Sequence, residues 1–409
     1  MILMNNKKIL IVTHQYLPLN SPRTTRWKLL SDQLTLDGFE VKILTATIQF
    51  NDEKNNNVIF LGGNKTSNFI NNLREESKKE NLIIKKNLLN ILKKIYRFLF
   101  KTFSWPDYAM FWLLTIYKNR KKINYDYDHI ISVSLPFSSH VAAYIINKSK
   151  KKNWIIDVGD PFSLKTDALE NNKYIFNKLN IYFENKFYKL ANQIIYTHSD
   201  VAQEHIRKFK IDQSKVLIGN PISSINEQIL LNSKNYDYSS VPLVIGYFGI
   251  LTDGVRTPKN TLKYFDNTNF IFNWYTNIDS KKMINQFNFN KANHRFFELV
   301  GREEALNKMT TTCHCLLSIG NLNSSQLPSK VIEYLATGKP ILHFAEIESD
   351  PIIKIAEKFQ NLIIVTKNTD LDELNDKIHE AFYNIEKFNT EDFLNNYSAI
   401  SITKNLNIF

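Results

Sequence analysis

Residues 7–45 read KKILIVTHQYLPLNSPRTTRWKLLSDQLTLDGFEVKILT. The apolar run Ile9–Val12 predicts a buried strand, and Val41–Leu44 predicts a second one. Between them, Gly38 suits the end of a helix on which three apolar residues recur at helical spacing, namely Trp27, Leu30 and Leu34. A strand, a helix and a second strand in this order form a βαβ unit, so the stretch predicts a parallel sheet.

Strand-like and helix-like segments keep alternating along the rest of the chain. Further strands are predicted at 58–61, 129–133, 154–156 and 193–196, and a second series at 244–250, 270–275, 296–300, 313–319, 340–344 and 362–365. The polar stretch 223–240 between the two series is typical of a linker. The pattern predicts an α/β protein with two Rossmann-like doubly wound domains, residues 1–222 and 241–389, facing a cleft where ligands bind.

The composition fits two domains and anionic partners. A chain of 409 residues with 43% hydrophobic content can bury two cores of ordinary size. Its 52 basic and 40 acidic residues favour anionic partners, without choosing among nucleic acid, membrane surfaces and phosphorylated substrates. The first apolar run is too short for a signal-peptide core, and no apolar stretch reaches the ~18 residues of a membrane-spanning helix, so an integral membrane protein is not expected.

The two cysteines, Cys313 and Cys315, lie in a strand-like run with His314 between them. In a strand the two thiols point to one face and the imidazole to the other, so the spacing favours a buried strand over a tetrahedral zinc site. So few cysteines are typical of a reduced, cytoplasmic protein.

Residues 320–341, GNLNSSQLPSKVIEYLATGKPI, predict a loop, a short helix and a strand. Lys330 and Glu333 then share one helix face, with the lysine in the first turn, where an anion is favoured, and the carboxylate about 5 Å further along. That separation suits a nucleoside diphosphate, with its phosphates at Lys330 and its ribose hydroxyls at Glu333. The alternative is an ordinary surface ion pair, which stabilises a helix by only ~0.3 kcal/mol.

The run from Pro328 to Ile341 resembles the donor-site helix of family 4-like bacterial glycosyltransferases, which have the GT-B fold and retain the anomeric configuration. The resemblance implies that Glu333 holds the ribose and that Ser329 and Lys330 also contact the donor. Ser325 stands where many relatives carry an acidic residue that contacts the donor sugar. The resemblance further implies that the last helical stretch, residues 390–409, crosses back onto the first domain.

The loop after the first strand of the second domain, residues 249–260, is a further candidate for donor binding. Gly249 ends the strand and lets the backbone approach a phosphate closely. Arg256 and Lys259 lie where relatives place basic residues that bind phosphate. An ordinary polar loop is the alternative for each residue.

In the first domain, residues 157–162 resemble the Asp-x-x-Asp-Pro-aromatic element of bacterial members of the family, with Gly159 where an arginine is frequent. Asp160 follows a parallel strand, and its carboxylate can accept a hydrogen bond from an acceptor hydroxyl or stabilise positive charge that develops on the sugar. Because aspartate before proline is also a common helix start, capping is the competing role.

Two more loops of the first domain match the family. The stretch from Ser134 to His140 resembles a Ser-x-Pro loop, and His140 is either catalytic or structural. The stretch 16–23 resembles a Tyr-x-Pro-x-x-Ser-Pro-Arg pattern. Because the dipole disfavours a cation at a helix start, Arg23 is interpreted as a contact to a phosphate or to the acceptor, with a surface role as the alternative.

Residues 85–105 form a basic amphipathic segment. Wound as a helix, residues 85–101 separate a leucine and isoleucine face from a lysine and arginine face, and aromatic residues follow. This favours an anionic membrane surface over a solvated helix packed on a sheet, while nucleic-acid binding has the least support because no recognition motif is present.

The sequence therefore predicts a metal-independent, retaining glycosyltransferase of the hexosyltransferase type. We expect a UDP- or GDP-sugar donor, a lipid-linked or oligosaccharide acceptor belonging to a growing surface glycan, and a peripheral position on the inner face of the cytoplasmic membrane. No metal, no other cofactor and no nucleic acid is expected. The alternatives are a nucleotide-sugar epimerase on the same fold and a non-catalytic nucleotide-sugar-binding homologue.

Overall fold

A computed structural model of the chain describes residues 7–19, 21–47, 57–62, 102–123, 125–165, 169–322, 329–385 and 388–408. The chain divides into two compact units. The first comprises Met1–Asn220 together with Ile402–Phe409, and the second comprises Pro221–Ser401. The second unit is thus one continuous stretch, whereas the first is built from two.

The first unit contains a parallel sheet of seven strands in the order β3-β2-β1-β4-β5-β6-β7. Its strands are β1 Lys8–Val12, β2 Glu40–Thr45, β3 Val58–Phe60, β4 His129–Val133, β5 Asn153–Val158, β6 Gln193–Tyr196 and β7 Val216–Ile218. Its helices are α1 Pro22–Leu36, α2 Met110–Asn119, α3 Ser138–Asn147, α4 Lys173–Leu190 and α5 Ser199–Phe209. Every strand predicted in this half is present. The short strand β7 was not predicted, because it is only partly buried and lacks a long apolar run.

The second unit contains a parallel sheet of six strands in the order β10-β9-β8-β11-β12-β13. Its strands are β8 Val244–Phe248, β9 Ile271–Tyr275, β10 His294–Phe297, β11 Cys315–Ile319, β12 Ile341–Phe344 and β13 Leu362–Val365. The helices from here on are α6 Glu227–Lys234, α7 Lys259–Phe265, α8 Ile278–Asn285, α9 Arg302–Thr311, α10 Ser329–Leu335, α11 Ile352–Ala356, α12 Leu371–Tyr383, α13 Thr390–Tyr397 and α14 Ala399–Thr403.

In each sheet, the order in which successive strands are added reverses at the first strand of the unit. β1 pairs with both β2 and β4, and β8 pairs with both β9 and β11. The predicted class of two Rossmann-like doubly wound domains is confirmed. In such sheets ligands bind outside the carboxyl ends of the strands at this reversal, so the loops after β1, β4, β8 and β11 are where a site is sought.

The stretch 223–240, predicted as a linker, is instead packed onto the second unit. It contains helix α6, which packs against α9. Its aromatic residues Tyr236 and Tyr238 cover the ammonium group of Lys339, at 3.4 and 4.7 Å from the two ring centroids. Lys339 is fully buried and donates a hydrogen bond to the carbonyl of Cys313, and burial lowers its pKa to about 7. The polar composition of residues 223–240 did not predict these contacts, because only its two tyrosines make them with Lys339.

The last helical stretch is broken into α13 and α14, with Ser398 between them. Residues 402–408 return to the first unit and hydrogen-bond there at its sheet. The Lys7 ammonium donates to the carbonyl of Ile408 at 2.9 Å, and the Gln193 side chain donates to the carbonyl of Asn405 at 2.9 Å and accepts from the backbone N–H of Asn407 at 3.0 Å. These residues therefore complete the first unit.

Three further sequence expectations concern features outside the two sheets. The basic segment 85–105 lies outside the described residues except for 102–105. Both cysteines are buried free thiols, and no group of three or more His, Cys, Asp or Glu side chains within the described ranges is placed to hold a metal ion. None of the described helices combines the length and apolarity that a membrane crossing requires.

Candidate functional site

Helix α10 carries Lys330 and Glu333 at the carboxyl edge of the second sheet. Its inner face is fully buried through Val331, Ile332 and Leu335, and Gly338 ends the segment with a φ of 72°. Because that face is committed to the core, the two charged residues point the other way. The Lys330 side chain is 38% exposed and the Glu333 side chain 19%, so both are accessible to a ligand.

The charged ends of this pair meet, in contrast to the predicted separation. The Lys330 ammonium lies 2.5 Å from a carboxylate oxygen of Glu333. The ammonium and the carboxylate therefore contact each other and are not one helix pitch apart. Helix α10 has only seven residues, so its dipole adds little and Lys330 is the main cation here. Ser325 and the side chain of Ser329 lie outside the described residues.

Tyr334 ties this helix to the neighbouring loop, a contact that the sequence did not reveal. Its hydroxyl accepts a hydrogen bond from the backbone N–H of Phe248 at 2.9 Å and lies 3.3 Å from the carbonyl of the same residue. Phe248 ends β8, and Gly249 follows it. The buried tyrosine therefore holds Glu333, its neighbour in the chain, in register with the loop that starts at Gly249.

Within that loop, Arg256 and Lys259 have different surroundings. The Arg256 guanidinium donates two hydrogen bonds to the side-chain carbonyl of Asn321, at 2.8 and 3.2 Å, and the backbone N–H of Leu322 donates to the carbonyl of Val255 at 2.8 Å. Arg256 therefore joins the loop after β8 to the loop after β11. Lys259 is exposed at the first position of α7.

A buried hydrogen-bond network packs against the start of the loop after β11. His343 on β12 lies 2.9 Å from the hydroxyl of Ser318 and 3.1 Å from a carboxylate oxygen of Asp350. Gly320 packs so closely on this network that a Cβ atom there would lie 2.4 Å from Asp350. Serine, histidine and aspartate are the residue types of a hydrolase triad, but here all three are buried, so the serine cannot reach a substrate. The network is a structural support.

In the first unit, three of the predicted residues meet at the carboxyl edge of the sheet. Helix α1 begins after Ser21, whose hydroxyl accepts the N–H of Thr24, so Arg23 projects from its first turn. The Arg23 guanidinium lies 3.5 Å from the hydroxyl of Ser134 and 3.9 Å from a carboxylate oxygen of Asp160. Arg23 thus bridges the loops that follow β4 and β5.

Gly159 makes room for this arginine. A Cβ atom at Gly159 would clash with the guanidinium of Arg23, so any larger residue there would displace the arginine from this position. The Gly159 N–H also donates to the Ser134 hydroxyl at 2.9 Å. Gly159 therefore leaves space for Arg23, which supplies a guanidinium to this loop from another element.

Asp160 has two cationic neighbours and caps no helix. The Lys165 ammonium lies 3.7 Å from a carboxylate oxygen of Asp160. In the sequence Lys165 follows Asp160, whereas Arg23 precedes it. Residues 161–165 form bends, and the next described helix begins only at Lys173, so the capping alternative is not supported. Arg23 and Lys165 therefore place positive charge beside this carboxylate.

His140 is placed as a structural residue. It lies in the first turn of α3 as predicted, but it is buried, and its Nδ1 atom lies 2.8 Å from the hydroxyl of Ser132. Burial, together with the charge of Arg23, lowers its pKa to about 3. A histidine with such a low pKa is neutral and a weak base at neutral pH, so the structural alternative is favoured over a catalytic role.

Two carboxyl groups that the sequence analysis missed adjoin this site. Asp107 accepts the backbone N–H and the hydroxyl of Ser138, both at 2.7 Å, at the start of α3. Glu170 accepts the backbone N–H of Phe137 at 3.2 Å. Glu170 also lies with Ser134, His140 and Asp160 around a narrow gap that has no room for a water molecule. Neither acid belongs to a recognisable motif, so only the folded chain brings them to the site.

Both acids have raised pKa values. Burial raises the pKa of Glu170 to about 8, helped by the charge of Asp107 and opposed by the Phe137 N–H, Lys165 and Arg23. Burial raises the pKa of Asp107 to about 6, against its hydrogen bonds. Around neutral pH, the Glu170 carboxyl therefore mostly holds its proton.

We expect Glu170→Gln to change how stability depends on pH. Between the ordinary pKa of 4.5 and the folded value of about 8, the folded state keeps the proton and the unfolded state loses it. The wild-type free energy of unfolding therefore falls as pH rises through this window, and the neutral glutamine removes that contribution. Urea unfolding at pH 5 and pH 8.5 measures the difference. Glu204→Gln, on the exposed face of α5, is the control, and equal slopes for all three proteins would contradict the assignment.

Solved structures of a galactosyltransferase, an epimerase and a protein bound to UDP and glucose share this architecture. Anabaena HepE in complex with UDP and glucose is 9% identical, with 98% of each chain covered and a TM-score of 0.56. The lipopolysaccharide outer core galactosyltransferase WaaB is 14% identical, with 98% of this chain and 100% of that chain covered and a TM-score of 0.56. The UDP-GlcNAc 2-epimerase of Methanocaldococcus jannaschii is 11% identical, with 98% of each chain covered and a TM-score of 0.51.

At such low identities these likenesses show the fold alone, and they confirm the predicted GT-B fold. No protein-family model matches the sequence, and no curated protein matches it.

Proposed function

We propose that the chain is a retaining glycosyltransferase that moves a sugar from a UDP- or GDP-sugar to an acceptor hydroxyl. The observation that carries the proposal is the placement of Lys330 and Glu333. They stand on the accessible face of α10, and Tyr334 fixes them beside the loop that begins at Gly249. A cation for the diphosphate and a carboxylate for the ribose are thus held next to a strand end where the backbone can approach a phosphate.

The bound UDP and glucose of HepE support the choice of donor. A protein of the same fold binds a nucleotide and a sugar together. In this chain Lys330 and Lys259 supply positive charge to the departing diphosphate, which is the task that a metal ion performs in other enzymes. The proposed reaction is therefore metal-independent, and full activity in the presence of EDTA is its direct check.

Arg23, Ser134 and Asp160 are proposed to bind the acceptor. The Asp160 carboxylate can accept a hydrogen bond from the acceptor hydroxyl and stabilise positive charge on the sugar, while Arg23 holds the carboxylate in place. The acceptor is proposed to be the lipid-linked precursor of a surface glycan, which the lipopolysaccharide substrate class of WaaB supports. Such an acceptor places the protein in the cytoplasm, on the inner face of the membrane.

An epimerase is the second candidate, because the Methanocaldococcus jannaschii enzyme shares the fold. Product analysis separates the two. We expect radiolabel from UDP- or GDP-sugars to move into the lipid fraction when membrane lipid extract is present, and no new nucleotide sugar to form without it. Conversion of UDP-GlcNAc to its epimer in the absence of acceptor would overturn the proposal.

A further inference from the structure

The outer surface of the first unit carries an unusual concentration of exposed aromatic residues. Tyr174 is completely exposed and Tyr182 is 58% exposed on α4, and Phe103 is 63% exposed just before α2. We call this surface the aromatic–basic face. Its other exposed apolar members are Tyr108, Phe111, Leu114, Tyr117, Ile175 and Leu179. Exposed apolar groups in such numbers are typical of a surface that binds a partner.

The segments that form this face are packed together. The Trp105 indole donates a hydrogen bond to the Asn180 side chain at 3.1 Å, and its ring lies 4.7 Å from that of Phe183. Helix α3 packs against α2 on one side and, through Tyr144 and Phe187, against α4 on the other. The aromatic residues before α2 and on α4 therefore belong to one layer of the unit.

The charge of the face is of one sign. Residues 102–122 and 173–190 contain eight basic residues, namely Lys118, Arg120, Lys121, Lys122, Lys173, Lys178, Lys186 and Lys189. They contain two acidic residues, Asp107 and Glu184, and both are buried. A ligand of this face thus meets positive charge and aromatic rings and no accessible carboxylate in these two segments.

We infer that the aromatic–basic face docks on an anionic lipid surface. Aromatic rings among lysines match the boundary between lipid headgroups and acyl chains, where the rings enter the apolar zone and the ammonium groups stay at the anionic headgroups. Residues 85–101 of this chain are the other possible cover, but they carry six basic residues and no acidic residue, so charge opposes that pairing.

The inference rests on the proposed function and deepens it. Tyr174 and Ile175 begin α4, only a few residues after Glu170, and the Asn171 side chain donates to the carbonyl of Pro106 at 2.7 Å. The face therefore borders the site of Asp160 and Glu170. A protein docked in this way meets the headgroup of a lipid-linked acceptor at the proposed acceptor site.

Co-sedimentation with vesicles tests the inference on the full chain. We expect binding to phosphatidylcholine vesicles that contain phosphatidylglycerol, weak binding to phosphatidylcholine alone, and release at ~0.5 M salt, where charges are screened. Tyr174→Ser with Ile175→Ser removes two exposed apolar side chains and should weaken partitioning at least ~10-fold. Lys178→Glu should weaken it roughly fivefold or more.

Matched controls lie in the second unit. Tyr383→Ser replaces another strongly exposed tyrosine and Lys282→Glu an exposed lysine, and neither should change binding. Unchanged binding of the Tyr174 and Lys178 variants, with loss only after Lys93, Arg97 and Lys101 become Glu, would assign docking to residues 85–101 and overturn the inference. Failure of the wild-type protein to bind anionic vesicles would overturn it too. So would a change in self-association of the variants in place of a change in vesicle binding.

Failure of the docking inference can be distinguished from failure of the proposed function, because the vesicle experiment contains no nucleotide. If the docking inference fails, nucleotide binding and transfer to a soluble acceptor persist. If the proposed function fails, vesicles still bind but nucleotides do not.

Discussion

Glu333→Ala is expected to weaken UDP or GDP binding by at least ~100-fold, because a carboxylate that accepts two ribose hydroxyls contributes ~1.5–3 kcal/mol per hydrogen bond. Calorimetry of wild type and variant with both nucleotides measures the change. The loss should be specific to ribose recognition, so the fold should remain intact: Glu333 lies on the accessible face of α10, opposite the buried apolar residues.

A matched control exists on α12. Glu373 pairs with Lys377 at the same 2.5 Å separation, but on the exposed face of α12 and away from the proposed site in the sequence. Glu373→Ala should leave nucleotide affinity unchanged. If Glu333→Ala behaves in the same way, the Lys330–Glu333 pair is an ordinary surface ion pair. If neither wild type nor variant binds any nucleotide, the proposed donor site is wrong.

Lys330 gives the same experiment a second measurement. Its ammonium contacts the Glu333 carboxylate, and we expect the diphosphate to bind at the same ammonium. Lys330→Ala should therefore weaken UDP more than uridine, whereas Glu333→Ala should weaken both. A double-mutant cycle then separates the two contributions, since the residues touch and are not additive.

Asp160→Asn is expected to reduce turnover by ~100-fold or more while nucleotide affinity stays within error, because the amide cannot provide the negative charge. The asparagine keeps the size of the side chain, and the loops that meet at Arg23 should keep their places through Ser134. Initial rates of sugar transfer, together with calorimetry, separate the effect on chemistry from an effect on donor binding.

Asp32→Asn is the control for that variant. Asp32 is also an ion-paired aspartate of the first unit, but it pairs with Lys28 on the exposed side of α1. Its replacement should change neither rate nor affinity. Turnover of Asp160→Asn at the wild-type rate would leave Asp160 as a structural partner of Arg23 and Lys165.

The sequence predicted the sheets better than the site. Strands such as β4 and β6 are apolar runs bounded by polar residues, so their period and length sufficed. Placing Arg23, Ser134 and Asp160 at neighbouring loops needed only the rule that parallel strands share one carboxyl edge. The rule could not predict that Arg23 would occupy the space that Gly159 leaves free, because that contact joins segments that are far apart in the chain.

Other features depend on tertiary packing that no local pattern reports. Glu170 and Asp107 lie in loops that carry no sequence motif. They come close to each other because residues 102–109 pack beside α4. Lys330 and Glu333 were correctly placed on one helical face, but rotamer choice decides whether their ends meet or separate. The buried position of Lys339 could not be predicted, because the two tyrosines that cover it lie among polar residues in the sequence.

The return of residues 402–408 to the first unit has a consequence for biosynthesis. A ribosome makes residues 221–401 after most of the first unit and before its closing segment, which at typical rates takes roughly 10–40 s. During that delay the first unit lacks the backbone partners of Lys7 and Gln193. The last hydrogen bonds of the amino-terminal unit can therefore form only after the whole second unit has been synthesised.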